Sequence, residues 1–377
     1  MKNYFDVAVI GAGVIGSSAA SRIAKHCNVV LFEQESQAGY HSSGRSAAVL
    51  LPSYGGPLVR ALTAASTEFF SDPPDGFSHF PILTDRGAIF VAKDRDELSL
   101  LDRWGGERRL TAVEAVEIVP ILNVEKIVAA AWLPGVKDID AAGLLQGFLK
   151  SFRAQGGVAL FGVPITSIKR EEGEWTLETK LGSYRARVLV NAAGAWADQV
   201  ADLAGAGRKG FVPTRRTIAV VDPPAGVDVL AWPLVSDAAE TFYFKSEGGR
   251  LAICPGDRTP VEAQDVQPED LDIAIAVDRF ESVTDMSVRR VVHKWAGLRT
   301  YAPDNEPVIG FDPDVPNFFW AAGFGGFGIQ TAAAVGPCCE ALICRQPLPA
   351  SWARFGVALE RLSPRRLARS SCSTAST

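Results

Sequence analysis

Apolar and polar positions follow several rhythms along this chain. The first is a short, unbroken apolar run, Asp6–Ile10, then a small-residue stretch, Ser17–Lys25, then a second apolar run, Asn28–Phe32. Short apolar runs without alternation predict strands covered on both faces, and the stretch between them predicts a helix. This β-α-β order with tight connections calls for a right-handed crossover and a parallel sheet. A second rhythm, with period two, marks Thr217–Val221, Thr241–Lys245 and Leu251–Cys254 as antiparallel strands. Further strands are predicted at Arg86–Ala92, Ala159–Arg170, Glu174–Thr179, Tyr184–Val190 and Trp320–Gly323, with Gly182-Ser183 as a hairpin turn. Helices are predicted at Pro57–Phe70, Asp94–Trp104, Thr111–Ile118, Asp140–Gln155, Pro268–Phe280 and Gly328–Leu342. A Gly- and Ser-rich loop covers 39–56, and Pro73–Gly76 is a turn.

The order of these elements carries the architecture. Parallel β-α-β material lies at the start, around 140–205 and at the end, with antiparallel material between. The expected class is α/β plus α+β: a Rossmann-like domain of discontinuous segments with an antiparallel-sheet domain inserted into it. The expected segments are 1–80, 135–207 and 295–377 for the first domain, and 81–134 and 208–294 for the second. A length of 377 residues, more than one core usually carries, agrees with two domains.

The junction after the first strand carries the first chemical signal. Gly11-Ala-Gly13-Val-Ile-Gly16 leaves that strand and opens a helix, and Glu33 closes the next strand. The pattern is weak alone and strong in this context. Gly11 permits the tight turn, Gly13 lets the backbone approach a pyrophosphate, and Gly16 lets the helix pack on the sheet. The helix start, including Val14 and Ile15, offers N–H groups and a dipole to the phosphates. Glu33 suits ribose hydroxyls and would repel a 2′-phosphate. The fingerprint predicts a dinucleotide without choosing between nicotinamide and flavin.

Composition narrows the field. Lys and Arg number 38 against 43 Asp and Glu, a net charge of −5, so nothing favours nucleic acid or an anionic membrane. No apolar stretch has the length of a membrane span, and a cytoplasmic location is expected. The six cysteines, Cys27, Cys254, Cys338, Cys339, Cys344 and Cys372, form no C-x-x-C pair and no zinc-spaced cluster with histidine. They read as reduced thiols, and no metal site is expected. The Ser-rich stretch Ser370–Thr377 reads as disordered.

Motifs spread over the chain resemble the FAD-dependent D-amino acid oxidase superfamily, which includes glycine oxidase and sarcosine oxidase relatives. They are Gly44–Ala48 (Gly-Arg-Ser-Ala-Ala), Asn191–Trp196, Trp295–Arg299, Pro303–Gly310 and Gly323–Gly328. Within the superfamily the chain is most similar to the bacterial D-arginine dehydrogenase group, through Gly39–Ser46, Val59–Ser66, Asp265–Glu269, Gly328–Thr331 and Leu362–Arg366.

The resemblance implies FAD as cofactor. It adds Gln34, Gly44, Arg45, Ser46, Ala47 and Ala48 to the cofactor site, together with Val163, Ala193, Gly194 and Trp196. Gly297, Arg299, Gly325, Gly326, Phe327, Gly328, Ile329 and Gln330 complete that set. The helix start at 325–330 would offer N–H groups to the N1/C2=O edge of the flavin. It also implies Arg216 and Arg299 as a clamp on a substrate carboxylate, with Tyr54 and Tyr243 assisting, and Gly326 and Gln330 beside substrate and flavin. Arg215, adjacent to Arg216, competes for the same role.

One departure changes the expected substrate. The D-arginine group carries glutamate where this chain has Ala88, and His and Thr where it has Val49 and Leu51. All three changes run from polar to apolar, so the expected side chain is neutral or hydrophobic rather than cationic. Asp85 is the one residue placed to replace the missing charge. The implied reaction moves a hydride from Cα to flavin N5 and gives an imino acid, which hydrolyses to a 2-oxo acid and ammonia. The electron acceptor is left open between O₂ and a quinone-like compound. The same features admit an N-methyl or cyclic amino acid, a 2-hydroxy acid, or a non-catalytic flavin-binding subunit. His26 and His293 are expected in structural or exposed roles, and His41 lies in the flavin loop.

Phe324 stands in the segment where some relatives carry a flavin-linking cysteine, so the FAD is expected to be non-covalent. Acid or heat precipitation should leave the flavin in the supernatant; yellow colour retained in the pellet after washing is the contrary result.

Overall fold

A computed structural model describes residues 3–104 and 108–367. Cys372 and the stretch Ser370–Thr377 lie outside the described residues. The first sheet has the parallel core expected from the opening rhythm. Strand Tyr4–Ile10 lies between Val29–Phe32 and Gly182–Asn191, parallel to both. Val158–Leu160 continues one side and Phe318–Ala322 the other, again in parallel. The antiparallel strands Ile165–Glu171, Glu174–Thr179 and Val308–Phe311 extend the sheet to eight.

Helix Val14–Ile23 packs on this sheet because its inward face is built of small residues. A Cβ on Gly16 would stand 1.9 Å from the Gly11 carbonyl oxygen, and one on Gly11 would stand 2.4 Å from that of Ala192. Gly11 has φ +103°, which side-chain-bearing residues rarely adopt. The last long helix, Gly328–Cys344, lies against the first, and Ser18 Oγ donates to the Ala332 carbonyl at 2.6 Å. Helix Ala141–Ala154 starts on Asp140, whose carboxylate accepts from the Gly143 N–H at 2.8 Å.

The second sheet has nine strands. Their order is Phe324–Gly325, Val291–Tyr301, Val212–Val221, Arg250–Cys254, Tyr243–Glu247, Leu234–Asp237, Ala88–Ala92, Ala129–Leu133 and Arg108–Leu110. All neighbours are antiparallel except Leu234–Asp237 and Ala88–Ala92, which run parallel. A small sheet of Val49–Leu50, Lys137–Ile139 and Leu83–Asp85 lies apart from both. No helix among the described residues is long and apolar enough to cross a membrane.

Several expected elements shift. The strand expected over Ala159–Arg170 is broken in two, because Gly162 has φ +65° and Pro164 cannot donate to a ladder. The hairpin turn falls at Lys180-Leu181, and Gly182-Ser183 already belong to the strand. Asp96–Trp104 is 3₁₀ rather than α-helical. The eleven-residue strand Val291–Tyr301 has no period-two signal in its sequence and was not expected. It pairs with Val212–Val221 in the second sheet from Val291 to Tyr301.

Gly16→Ala should lower the stability of the cofactor-free protein by about 1–3 kcal/mol, since the new methyl meets backbone that cannot move aside. The shift in denaturant midpoint at unchanged slope measures it.

Candidate active site

A cleft of about 340 Å³ runs from the helix start at Val14 to the face of the second sheet at Arg216, Tyr243 and Arg299. At one end Gly11, Gly13, Val14 and Ile15 line it together with Glu33 and Gln34. Glu33 Oε2 accepts from the Ala12 N–H at 2.8 Å and Oε1 from the Glu35 N–H at 3.0 Å. Burial raises the Glu33 pKa above the usual carboxylate value, against the pull of these backbone donors. A Cβ on Gly13 would meet nothing closer than Ser43 Oγ at 3.3 Å, and one on Gly194 would meet nothing within 4 Å. Both glycines line the cleft, Gly13 packed closely on Ser43 and Gly194 open, so these residues fit a dinucleotide.

Loop 39–50 forms one wall and joins the two sheets. Ser42 Oγ donates to the Leu298 carbonyl at 2.6 Å. Arg45 donates to the Ala296 and Val266 carbonyls at 3.0 and 3.2 Å and pairs with Asp265 at 2.5 Å. The Trp295 indole N–H donates to the Arg45 carbonyl at 3.2 Å. Arg45, Ser46 and Ala47 line the cleft; Gly44 instead turns the chain, donating its N–H to the Gly39 carbonyl at 2.8 Å. Ala48 stands at φ +50° just beyond the cleft lining. The opposite wall holds Val163, Ala193, Gly194 and Trp196, and the floor holds Gly297, Gly325, Gly326, Gly328 and Ile329.

At the other end, strand alternation separates two adjacent arginines. Arg215 points to one side and pairs with Asp272 at 2.7 Å and with Glu269, fully buried. Arg216 points to the other side and lines the cleft. Its Nε has no hydrogen-bond partner, and Asp257 is 3.8 Å away, with its oxygens taken by the Thr217 N–H and hydroxyl. Arg299 forms no ion pair among the described residues. Its guanidinium lies flat on Gly326, where an added Cβ would stand 2.8 Å from Cζ. Two guanidinium groups therefore share one end of the cleft: Arg299 has no side-chain acceptor among the described residues, and Arg216 has only the Cys254 sulfur and, at 3.8 Å, Asp257.

Tyr243 lines the same end, and burial pushes its hydroxyl well above the usual tyrosine pKa, so it is a neutral donor. Cys254, paired with Tyr243 across the sheet, accepts from Arg216 Nη1 at 3.8 Å. Tyr301, two residues after Arg299, has a lowered pKa: burial opposes it, but Arg299, Arg258 and Arg216 outweigh burial. Cys254, Tyr301 and Ser43 escaped sequence reasoning, because their places depend on strand register and on a loop crossing between sheets.

Val49, Leu51, Tyr54, Ala88 and Phe327 lie outside the cleft lining, in apolar clusters. Leu51, Ala88, Phe90 and Trp104 belong to one apolar cluster, and Val49, Tyr54 and Tyr243 pack against it. Ala88 is fully buried. Tyr54 also packs on Phe327, ring centroids 5.0 Å apart. Gln330 is buried outside the cleft lining: its Oε1 accepts from the Leu51 N–H at 3.3 Å and its Nε2 donates to Thr63 Oγ1 at 3.0 Å. It holds the Leu51 loop. Asp85 turns to solvent and pairs with Lys137, so it supplies no charge to this cluster. His41 lines the cleft with its ring 2.9 Å from Glu35 and against Trp196. His26 contacts Glu340, and His79 and His293 are exposed.

Comparison with known proteins gives a consistent picture. The family model described as DAO, FAD dependent oxidoreductase, matches residues 6–339. Human mitochondrial dimethylglycine dehydrogenase is 28% identical over 369 residues, covering 89% of this chain and 42% of that protein. The chain thus spans about two fifths of the length of that relative. Glycine oxidase of Geobacillus kaustophilus is 25% identical over 363 residues, covering 89% of this chain and 92% of that one. The crystal structure of L-proline dehydrogenase from P. horikoshii superposes with a TM-score of 0.81 at 22% identity, covering 97% and 98% of the two chains.

The two arginines make opposite predictions. Arg216→Met should lower kcat/KM by about 100-fold or more through KM, with stability unchanged or raised. Arg215→Ala should destabilise the fold by roughly 3–5 kcal/mol, leaving Asp272 unpaired, with near-normal KM in the folded fraction. Steady-state kinetics paired with denaturant titration separates them.

Proposed function

The chain belongs to the DAO family of FAD-dependent oxidoreductases and its cofactor is FAD; we propose that it oxidises a D-amino acid with a neutral or apolar side chain. The products are an imino acid, then a 2-oxo acid and ammonia after hydrolysis. The observation that carries this reading is the pair Arg216 and Arg299 at the end of a cofactor cleft, Arg299 without an ion pair among the described residues and Arg216 with its Nε unsatisfied and its nearest carboxylate, Asp257, 3.8 Å away. A buried guanidinium without an acceptor is costly, and a carboxylate offers each of them charge-assisted hydrogen bonds. Tyr243, a neutral donor, adds a third contact. Held at three points, the substrate has its Cα directed at the floor formed by Gly325 and Gly326. FAD, when bound in the cleft, would supply the hydride acceptor.

The side chain of the substrate would then point toward the cluster of Val49, Leu51 and Ala88, which packs against Tyr243 behind the cleft lining. Ala88 brings no charge, Asp85 is committed to Lys137 at the surface, and Phe90 and Trp104 back the wall. Each buried CH₂ of a substrate side chain adds about 0.8 kcal/mol there, whereas a cationic one would lose its water without gaining a partner. The D configuration rests on the resemblance of the clamp residues described above. A second reading, an N-methyl or cyclic amino acid, is favoured by the similarity to dimethylglycine dehydrogenase and L-proline dehydrogenase; the same clamp would hold its carboxylate.

Anaerobic bleaching of the flavin by a substrate panel tests both. We expect D-Leu, D-Met and D-Phe to reduce it with kcat/KM at least about tenfold above D-Arg and D-Lys, a difference of about 1.4 kcal/mol. A preference for D-Arg would sink the side-chain assignment, and reduction only by L-amino acids would sink the stereochemical one. Reduction by sarcosine, dimethylglycine or proline alone would install the second reading. No reduction by any of them would favour a non-catalytic role.

A further inference from the structure

Two cysteines outside the site face each other at the far end of the cofactor-binding helices. Cys27 follows helix Val14–Ile23, and Cys344 is the last residue of helix Gly328–Cys344. Their sulfurs are 4.0 Å apart, although 317 positions separate them in sequence. Both are partly exposed, whereas the other described cysteines, Cys254, Cys338 and Cys339, are buried. The Cys27 neighbourhood also holds Asp6 and Arg187, and that of Cys344 holds Glu340. The two thiols share a hydrogen bond in which either sulfur can donate, so each can hold the other as a thiolate.

The two helices are latched along their length. Ser18 bonds Ala332 near the cleft end. Gly336 admits Arg22 and Ser18, which an added Cβ would approach to 2.7 Å. Glu340 then takes both Arg22 and His26. The cysteines stand where this series ends. At the opposite end, Val14, Ile15, Gly328 and Ile329 line the cofactor cleft. A covalent link between the helix ends therefore restrains the elements whose starts hold FAD.

We propose that Cys27 and Cys344 form a reversible disulfide in the presence of hydrogen peroxide, and that this bond slows the loss of FAD. The Cys27 thiolate attacks one peroxide oxygen; an S–O bond forms, the O–O bond breaks, and hydroxide leaves and takes a proton to become water. The Cys344 sulfur then attacks the sulfenic acid sulfur; the S–S bond forms and a second water leaves. Two thiols lose two electrons and two protons, and one peroxide becomes two waters. Closing the gap from 4.0 Å moves two side chains at helix ends and leaves the buried latches in place. This proposal rests on the FAD site alone and is independent of the substrate assignment.

The test treats the FAD-loaded wild-type protein with hydrogen peroxide, blocks remaining thiols, and maps disulfides by mass spectrometry of a non-reducing digest. We expect a Cys27–Cys344 cross-linked peptide, a Tm raised by roughly 5 °C or more, and a several-fold longer half-time of flavin release. Dithiothreitol should reverse all three, and C27S and C344S should show none. Cys27 recovered as sulfenic or sulfinic acid without a cross-link would overturn the proposal. So would a cross-link that leaves Tm and flavin release unchanged. The decisive readouts are on the wild-type chain, so poor folding of a variant does not blunt them.

Discussion

Two guanidinium groups with open hydrogen-bonding capacity govern this molecule. Arg216 and Arg299 stand at the end of a cleft with mostly apolar surroundings, and neither has a carboxylate within hydrogen-bond distance. Proteins rarely keep such groups unpaired, because desolvation of an ion costs several kcal/mol. The chain does have acids to spare nearby: Asp272 and Glu269 hold Arg215, and Asp257 is occupied by Thr217. Their commitment elsewhere leaves the clamp open to an anionic ligand, and the ligand completes the electrostatics of the site.

The clamp works only if the second sheet is held at a fixed distance from the cofactor end of the cleft. Loop 39–50 does this. Ser43 accepts from the Val14 N–H at 3.0 Å, Ser42 and Arg45 bond the backbone of strand Val291–Tyr301, and Trp295 returns a bond to Arg45. Arg45 thus ties the loop to the strand that carries Arg299. Its bond to that strand goes to the Ala296 backbone carbonyl, so the tie follows the strand and not a side chain on it.

Charge and apolarity are sorted on either side of the clamp. The Arg86–Asp138–Lys245 network lies beside the small sheet, with Lys245 also bonding the Ala47 carbonyl, and Asp85 pairs with Lys137 at the surface. Leu51, Ala88, Phe90 and Trp104 form a separate, uncharged group. Gln330 fastens Leu51 to helix Pro57–Ser71 through Thr63, so the apolar wall is positioned by a buried amide that does not itself line the cleft.

The sequence by itself determined the nucleotide end of this protein. Gly11, Gly13 and Gly16 lie within six residues and Glu33 directly follows the next strand of the same β-α-β unit, so their chemistry follows from local backbone: a strand, a tight turn and a helix start. The parallel core and the antiparallel sheet were legible for the same reason, since periodicity is a local property. Strand Val291–Tyr301 was not, because its alternation is blurred by facing loop 39–50 on one side and solvent on part of the other. Tertiary structure alone decided which of Arg215 and Arg216 faces the cleft, where Asp85 points, and that Cys254 touches the clamp. It alone brought Cys27 to Cys344. In each case the deciding quantity is strand register or the packing of helices distant in sequence, and neither is written in any single segment.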